Sequence, residues 1–475
     1  MRRFRLAVRE TFASLKFRNF RLFFVGQTIS QVGNWLTLIA QTLLVLKLTN
    51  SGTALGFLAA AQFAPILVLG AWAGVIADRS DKRKLLIFTQ SLAMLQSFVL
   101  GFIAFSDHPP VLAIFAIAFF GGLVTAFDNP ARRSFVVEMV PIENVNNAVS
   151  LNSALMTGSR VVGPAVAGLL VATVGFGWTF ILDAVSYVAV IGGLVMMRPS
   201  ELRVAPQLAK AKGQIREGLR YARSVSELWV PLVMMALVGT FAFNFSVVFP
   251  VFVTKSLGGS DSTFTLLFSW LSFGSLVGAL TVARRSTTSV RVVSLAALAF
   301  GVTMIMMAAA PVEAAAFVLA PLLGAASIAF MTSSTAIVQT ASDPSMRGRV
   351  LALQSMVFLG STPIGGPIVG FITEEFGSRY AILVGAAACL LAGAWGVRLS
   401  RKRGLSNSIG SSEERIAAEA ARRTTEPENE GGSATSPTTS PTTSPASAPS
   451  TPWTTPSGTE AARMAESPTA IGGLA

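Results

Sequence analysis

The chain has few of the residues from which catalytic and metal centres are built. Its 475 residues include one cysteine, Cys389, one histidine, His108, and three tyrosines. A single cysteine excludes a disulfide within the chain and a thiolate cluster. A single histidine leaves almost no parts for a zinc site or a Ser/His dyad. We therefore expect no metal and no cofactor, and an enzyme is the least favoured interpretation.

Charge is also scarce, at 13% of residues against about 25% in soluble domains. No G-x-x-x-x-G-K-[ST] run is present, so the sequence does not predict a nucleotide-phosphate loop. The formal charge of +13 could indicate a nucleic-acid partner. The basic residues, however, lie in short turns between apolar segments, where the positive-inside rule predicts them. We therefore expect no nucleic acid.

Long apolar segments dominate what is present, with 52% hydrophobic residues and a mean hydropathy of +0.60. A run of about 20 apolar residues spans the hydrocarbon core as a helix, which satisfies its own backbone hydrogen bonds. The sequence predicts an all-α membrane protein with twelve transmembrane helices, at residues 20–48, 52–77, 84–106, 110–128, 148–174, 177–197, 229–254, 262–283, 291–310, 312–338, 350–373 and 378–399.

Lysine and arginine fall mainly on one side of the predicted membrane. The other side holds only Lys47, Lys255 and Arg379. This bias predicts a multi-pass protein of the plasma membrane with both termini in the cytoplasm. The cytoplasmic turns hold Arg79, Lys82, Arg83, Lys84, Arg132, Arg133, Arg284, Arg285, Arg291, Arg347 and Arg349.

Composition divides the chain into five parts. Residues 1–19 read as a cytoplasmic amphipathic N-terminus, 20–197 as a six-helix bundle and 198–228 as a cytoplasmic linker with a surface helix from Gln214 to Ser224. Residues 229–399 read as a second six-helix bundle. Residues 400–475 form a Ser/Thr/Pro-rich tail that cannot bury a core and is expected to be disordered.

The two halves carry proline and glycine at equivalent positions. Pro141 recurs as Pro344, and the pair Gly163-Pro164 recurs as Gly366-Pro367 at the same offset. A Gly-Pro pair inside a span lets a helix bend and approach a neighbour closely. We therefore predict bends in spans five and eleven and two pseudo-symmetric bundles.

A charged turn joins spans two and three, with the sequence Gly-Val-Ile-Ala-Asp-Arg-Ser-Asp-Lys-Arg-Lys at residues 74–84. Gly74 would let two helices approach closely. Asp78 is a carboxylate at a membrane edge, where a cation or a helix N-terminus would stabilise it. Arg79, Lys82 and Arg83 would hold the turn on the cytoplasmic side.

This turn resembles the signature loop of the major facilitator superfamily, G-x-x-x-D-R-x-G-R-[RK], with Asp81 in place of the second glycine. In that superfamily, the acid and base of the loop, with an acid at the end of span four, latch the cytoplasmic gate. The resemblance assigns this role to Asp78, Lys82 and Asp128.

Further stretches, at residues 17–21, 27–35, 129–133 and 347–350, are similar to the branch that holds macrolide efflux proteins and the enterobactin exporter. The resemblance covers roughly residues 15–400. It implies a monomeric secondary transporter that exports an amphipathic small molecule, such as a drug, antibiotic or siderophore, in exchange for protons. A metabolite importer of the same fold and a non-transporting receptor or scaffold remain open as alternatives.

Span one carries four amides, Gln27, Gln31, Asn34 and Gln41, at spacings that place them on one helical face. Amides in hydrocarbon need partners. They either line a substrate cavity, to which Asn244 of span seven would add polarity, or bond to neighbouring helices. The abundance of phenylalanine (33) and methionine (15) favours a greasy cavity suited to lipophilic cations or macrocycles.

Arg160 and Asp183 are the charged residues that are predicted to lie deep in the membrane, and they are the candidates for a role in coupling. An ionised side chain at mid-membrane costs about 2.5–3.5 kcal/mol on insertion scales, so such residues are functional by default. Asp183 is predicted either to carry the coupling proton or to act as a structural acceptor. Arg160 precedes Gly163-Pro164, a segment similar to the superfamily's antiporter motif.

Overall fold

The structure, a computed structural model, describes residues 11–203, 214–283 and 288–402. The expectations for residues 1–10, for Arg284 and Arg285 and for residues 403–475 lie outside this part of the chain. The helices are α1 Arg18–Thr49, α2 Gly52–Arg79, α3 Lys82–Ala104, α4 Val111–Glu138, α5 Val145–Val195, α6 Gln214–Ser224, α7 Ser226–Phe241, α8 Phe245–Val251, α9 Asp261–Ala283, α10 Val290–Ala308, α11 Glu313–Ala341, α12 Pro344–Glu375 and α13 Ser378–Lys402.

The predicted all-helical membrane architecture is confirmed. Within the described ranges, 11 helical stretches are long and apolar enough to cross a membrane. The predicted linker helix is present as α6, from Gln214 to Ser224. Three short 3-10 turns, Ala13–Lys16, Ile142–Asn144 and Pro199–Glu201, connect the longer elements.

Helix α5 is far longer than one membrane crossing. Its 51 residues would extend about 77 Å if straight, more than twice the thickness of a hydrocarbon core. Gly175 interrupts it with φ 81° and ψ 177°, a conformation open mainly to glycine. This break lies between the predicted spans 148–174 and 177–197, so α5 consists of two helical segments.

Span seven is not the single helix that was predicted over 229–254. Helix α7 ends at Phe241, α8 begins at Phe245, and a π-helical turn follows at Phe252–Ser256. The side-chain amide of Asn244 donates to the Thr240 carbonyl at 2.7 Å. This bond takes an acceptor that the next helical turn would use, which explains the break.

Helix α4 is longer than the predicted span 110–128. It continues through Asn129 and Pro130 to Glu138. Prolines are tolerated inside membrane helices because neighbouring groups satisfy the freed backbone. The sequence Asn-Pro is therefore not a stop here, and Asp128 lies ten residues before the end of the helix.

Packing relies on small residues. Helix α1 packs on α5 and α2 on α4, while α9 packs on α11 and α10 on α13. Between the halves, α2 packs on α12 and α5 on α9. A Cβ at Gly52 would lie 3.0 Å from the Gly370 carbonyl oxygen, and one at Gly366 would lie 2.9 Å from that of Gly56. Glycine at these positions lets the α2 and α12 backbones come into contact.

The break at Gly175 gives a stability prediction. Gly175→Ala should lower the free energy of unfolding by about 1–3 kcal/mol, because an L-residue is strained at this φ and ψ. A clash does not contribute, because no described residue lies within 4 Å of the new Cβ. Gly192→Ala is the matched control in the same helix, with regular geometry and equally open space. Thermal unfolding of the purified protein measures both, and equal transition temperatures for the two variants would contradict the prediction.

Candidate functional site

A cavity of about 310 Å³ lies among α1, α2, α3, α4 and α5. Its lining includes one phenylalanine, Phe63, and one methionine, Met156, so the expected enrichment in these two residue types is not found there, although apolar side chains form most of its wall. Amides supply most of its polar groups. They are Gln31, Asn34, Gln41, Gln62, Gln90, Gln96 and Asn129.

Three of the four predicted α1 amides line this cavity and also bond to neighbours. Asn34 donates to Gln31 Oε1 at 2.8 Å and accepts from the Tyr187 hydroxyl at 2.7 Å. Gln41 donates to the Ile114 carbonyl at 3.2 Å. These α1 amides therefore both line the cavity and form hydrogen bonds with neighbouring groups.

The fourth amide, Gln27, lies outside the lining and is 1% exposed. It accepts from Arg132 Nη1 at 2.9 Å. Arg132 also pairs with Asp128 through Nη2. Asp128 accepts further bonds from Thr89 at 2.9 Å and from Gln90 at 2.7 Å. The sequence places Arg132 among the cytoplasmic charges. Its i,i+4 spacing from Asp128 on one helix, however, indicates an ion pair with Asp128.

The predicted pairing at the cytoplasmic turn needs a correction. Lys82 binds Glu138 at 2.6 Å, with side chains 11% and 6% exposed, and Asp128 binds Arg132 instead. The reason is the length of α4, which carries Glu138 to the level of the turn and leaves Asp128 deeper. Arg83 donates to the Leu194 and Val195 carbonyls at 2.7 and 2.9 Å, at the C-terminus of α5.

The remaining residues of the turn belong to the ends of α2 and α3. Asp78 lies in the last turn of α2, which ends at Arg79. Asp81, the departure from the signature, caps α3 by accepting from the Lys84 amide at 3.1 Å. The close helix contact expected at Gly74 is absent, because nothing described lies within 4 Å of a Cβ built there.

Asp183 is fully buried on α5, one layer behind the cavity. It accepts from the hydroxyls of Thr37 at 2.5 Å, Ser97 at 2.7 Å and Ser186 at 3.4 Å. Thr37 and Ser97 also line the cavity. Gly33 makes room for this cage, since a Cβ there would collide with the Asp183 carboxylate. Arg160 is not part of this group and lies exposed on α5.

The remaining predicted residues lie at helix contacts. The glycine of span five, Gly163, faces the Trp35 side chain, and α5 continues as a helix through Pro164. Helix α12 likewise continues through Pro367. Asn244 is 3% exposed and does not belong to the cavity lining.

Comparison with protein families identifies the family to which this architecture belongs. The model of the transmembrane secretion effector family matches residues 9–424. The chain belongs to this family. It is thus a multi-pass membrane transporter of the major facilitator superfamily, as the signature turn indicated.

Curated relatives of this transmembrane secretion effector are similar over most of their length. A staphyloferrin A transporter of Staphylococcus aureus is 24% identical over 75% of this chain and 90% of its own. Macrolide efflux protein A of Streptococcus pyogenes is 23% identical over 78% and 94%. The multidrug efflux pump Tap of Mycolicibacterium fortuitum is 26% identical over 78% and 93%.

Solved structures share the fold. A bacterial homologue of the lysosomal transporter Spinster, inward-facing and unoccupied, aligns with a TM-score of 0.66 at 14% identity, over 81% of this chain and 97% of its own. A mutant peptide transporter of the POT family aligns with a TM-score of 0.67 at 12% identity, over 82% and 96%.

Double-mutant cycles can distinguish the Lys82–Glu138 pair from an interaction between Lys82 and Asp128. Lys82→Ala and Glu138→Ala should each destabilise the protein by about 3–5 kcal/mol, because each leaves a buried partner uncompensated. Their effects should be strongly non-additive in a double-mutant cycle, whereas Lys82→Ala and Asp128→Asn should add. Thermal unfolding in detergent measures both cycles, and coupling of Lys82 to Asp128 alone would restore the first assignment.

Proposed function

We propose that this transmembrane secretion effector is a proton-coupled exporter of amphipathic small molecules that works by alternating access. One observation carries the proposal. An amide-lined cavity lies inside the N-terminal half, and the two halves touch through the glycines of α2 and α12 and through Glu374 at one end of these helices.

Twelve crossings in two bundles, residues 20–197 and 229–399, are part of this proposal, with 198–228 as the linker. The break at Gly175 supports them, because it divides α5 into two lengths that each suit one crossing. The contacts between halves support pseudo-symmetry. Gly168 of α5 faces Thr265 of α9, and Gly370 of α12, one residue short of the equivalent position in the repeat, faces Gly52 of α2. Span five meeting span eight thus mirrors span eleven meeting span two.

At one end, polar bonds join the halves. Glu374 accepts from the Ser51 hydroxyl and from the Thr53 amide, the latter at 2.9 Å, and so caps the N-terminus of α2 from the C-terminus of α12. Lys255 donates to the Asn50 carbonyl at 2.8 Å. With both termini in the cytoplasm, this closed end faces outward.

Toward the opposite end of the same two helices, Gly74 of α2 and Gly348 of α12 face open space. A Cβ at either position would meet nothing within 4 Å among the described residues. Gly74 belongs to the signature turn. We propose that the structure is the inward-open state and that Gly74 gains its helix contact in the outward-open state. Asp78, Arg79, Lys82 and Arg83 then act as the cytoplasmic latch, with Glu138 as the acid that holds Lys82.

Asp183 is the proposed coupling group. Hydroxyls that donate to a carboxylate can also accept from a carboxylic acid, so the cage of Thr37, Ser97 and Ser186 suits either protonation state. A proton that enters down a 100 mV potential releases about 2.3 kcal/mol, which can drive export without ATP. Relatives that are named as efflux proteins support the outward direction.

Everted membrane vesicles test coupling and direction together. With an inward-acidic gradient, vesicles that contain the wild-type chain should take up at least one of three amphipathic probes, the cations ethidium and labelled erythromycin and the anion carboxyfluorescein, and a protonophore should abolish the uptake. Asp183→Asn should remove the response to the gradient while membrane levels stay normal. Asp107→Asn, in an exposed turn, is the matched control. Gradient-driven uptake that persists in Asp183→Asn would remove Asp183 from the mechanism, and uptake only into right-side-out vesicles would indicate an importer.

The outer contact gives a second test. Glu374→Gln weakens the charge-assisted cap and should favour the outward-open state, whereas Glu375→Gln, its equally exposed neighbour, should not. A cysteine placed at buried Thr373, in a Cys389→Ser background, reports opening through its reaction with an impermeant maleimide. We expect roughly threefold faster labelling from outside in Glu374→Gln, a modest effect because the group is exposed. Equal rates in the two glutamine variants would exclude Glu374 from the gate.

A further inference from the structure

Three polar atoms around the Arg132 side chain have no hydrogen-bond partner among the described residues. They are Arg132 Nε, Gln27 Nε2 and Gln90 Oε1. Their residues are 8%, 1% and 2% exposed, so all three lie more than nine-tenths buried. Arg132 and Gln90 line the cavity. Buried polar groups are normally satisfied, so two unfilled donors and one unfilled acceptor call for an explanation.

The guanidinium of Arg132 is only partly used. Its Nη1 donates to Gln27, and its Nη2 meets Asp128 through Oδ2 alone, because Thr89 and Gln90 donate to Oδ1. Arginine binds a carboxylate most strongly when two parallel N–H groups meet two oxygens. Arg132 Nε thus has no acceptor among the described residues, and a second oxyanion that reached it would complete the fork.

The surrounding wall fits the same kind of ligand. Asp128 and Arg132 are the charged members of the cavity lining, and they already pair with each other. A lipophilic cation would find the only carboxylate of this lining already bound to three donors. The amides, which both donate and accept, match hydroxyl and amide groups instead.

We infer that the transported compound carries a carboxylate that binds Arg132 through its Nε edge, beside the Gln27 amide, while its hydroxyl or amide groups bond to the amide wall. This inference rests on the proposed function, in that the cavity receives the transported compound. Gln90 Oε1 accepts from a hydroxyl of the same ligand. Arg132 is thus a substrate-binding residue within the exporter.

The full-length chain in lipid nanodiscs tests the chemistry with matched probes. Gluconate and sorbitol share a six-carbon polyhydroxyl skeleton and differ by the carboxylate. Gluconate and citrate should raise the unfolding transition temperature and bind in calorimetry, and sorbitol should bind at least about tenfold more weakly, since a charge-assisted bond is lost. Tetraphenylphosphonium serves as the lipophilic cation and should not compete.

Variants separate the site from the fold. Arg132→Lys keeps the charge but removes the fork and should weaken gluconate about tenfold or more. The double variant Asp128→Asn/Arg132→Gln keeps the cavity neutral, so that it can fold, and should abolish gluconate binding. Arg133→Gln changes the exposed neighbour on the same helix and should bind like the wild type.

Two results would overturn the inference. One is equal binding of gluconate and sorbitol, or unchanged gluconate affinity in Arg132→Lys. The other is the absence of carboxylate binding in the wild type, which would assign the three unfilled atoms to water. Gradient-driven uptake of ethidium or erythromycin in everted vesicles would in either case leave proton-coupled export standing, whereas no uptake of any of the three probes would contradict the export proposal and not the chemistry of the cavity.

Discussion

A polar side chain inside hydrocarbon must find a partner, and this constraint organises the N-terminal half of the transporter. Asp128 binds Arg132, Thr89 and Gln90, while Asp183 sits among three hydroxyls. Each of these groups would be too costly to keep in the membrane alone. Together with the α1 amides they form a connected polar wall, and such a wall can only be stable if it faces a cavity and not lipid.

The proposed alternating access requires helix contacts that can separate, and glycine provides them. Between α2 and α12 the backbones touch at Gly52, Gly56, Gly366 and Gly370, so the halves meet over small areas without interlocking long side chains. Because glycine has no side chain, such contacts can separate with few changes of side-chain rotamer. The bonds of Glu374 add polar closure at the same end. The open space around Gly74 at the other end is the expected complement of that closure.

The sequence was sufficient for the all-helical class and the family, but only in part for the helix bounds and the site. Apolar length located the spans, and the break at Gly175 falls between two of them. Asp128 was expected at the end of span four, whereas α4 runs on to Glu138, so that Glu138 is the acid that binds Lys82. Residue frequencies suggested a cavity rich in phenylalanine and methionine, but composition does not say which side chains face inward. The roles of Arg132 and Gln90 depend on contacts between three helices, which no local pattern specifies.

The proposed proton site and the proposed substrate site share a wall, and this sharing offers a physical route for coupling. Thr37 and Ser97 each line the cavity and each donate to Asp183. A hydroxyl has one proton to donate, so a ligand that accepts from Thr37 takes a bond away from the carboxylate behind it. Loss of donors favours the protonated acid over the carboxylate, and gain of donors does the reverse. We therefore expect Thr37→Val, which removes the shared hydroxyl but keeps the shape of the side chain, to impair coupling more than substrate binding.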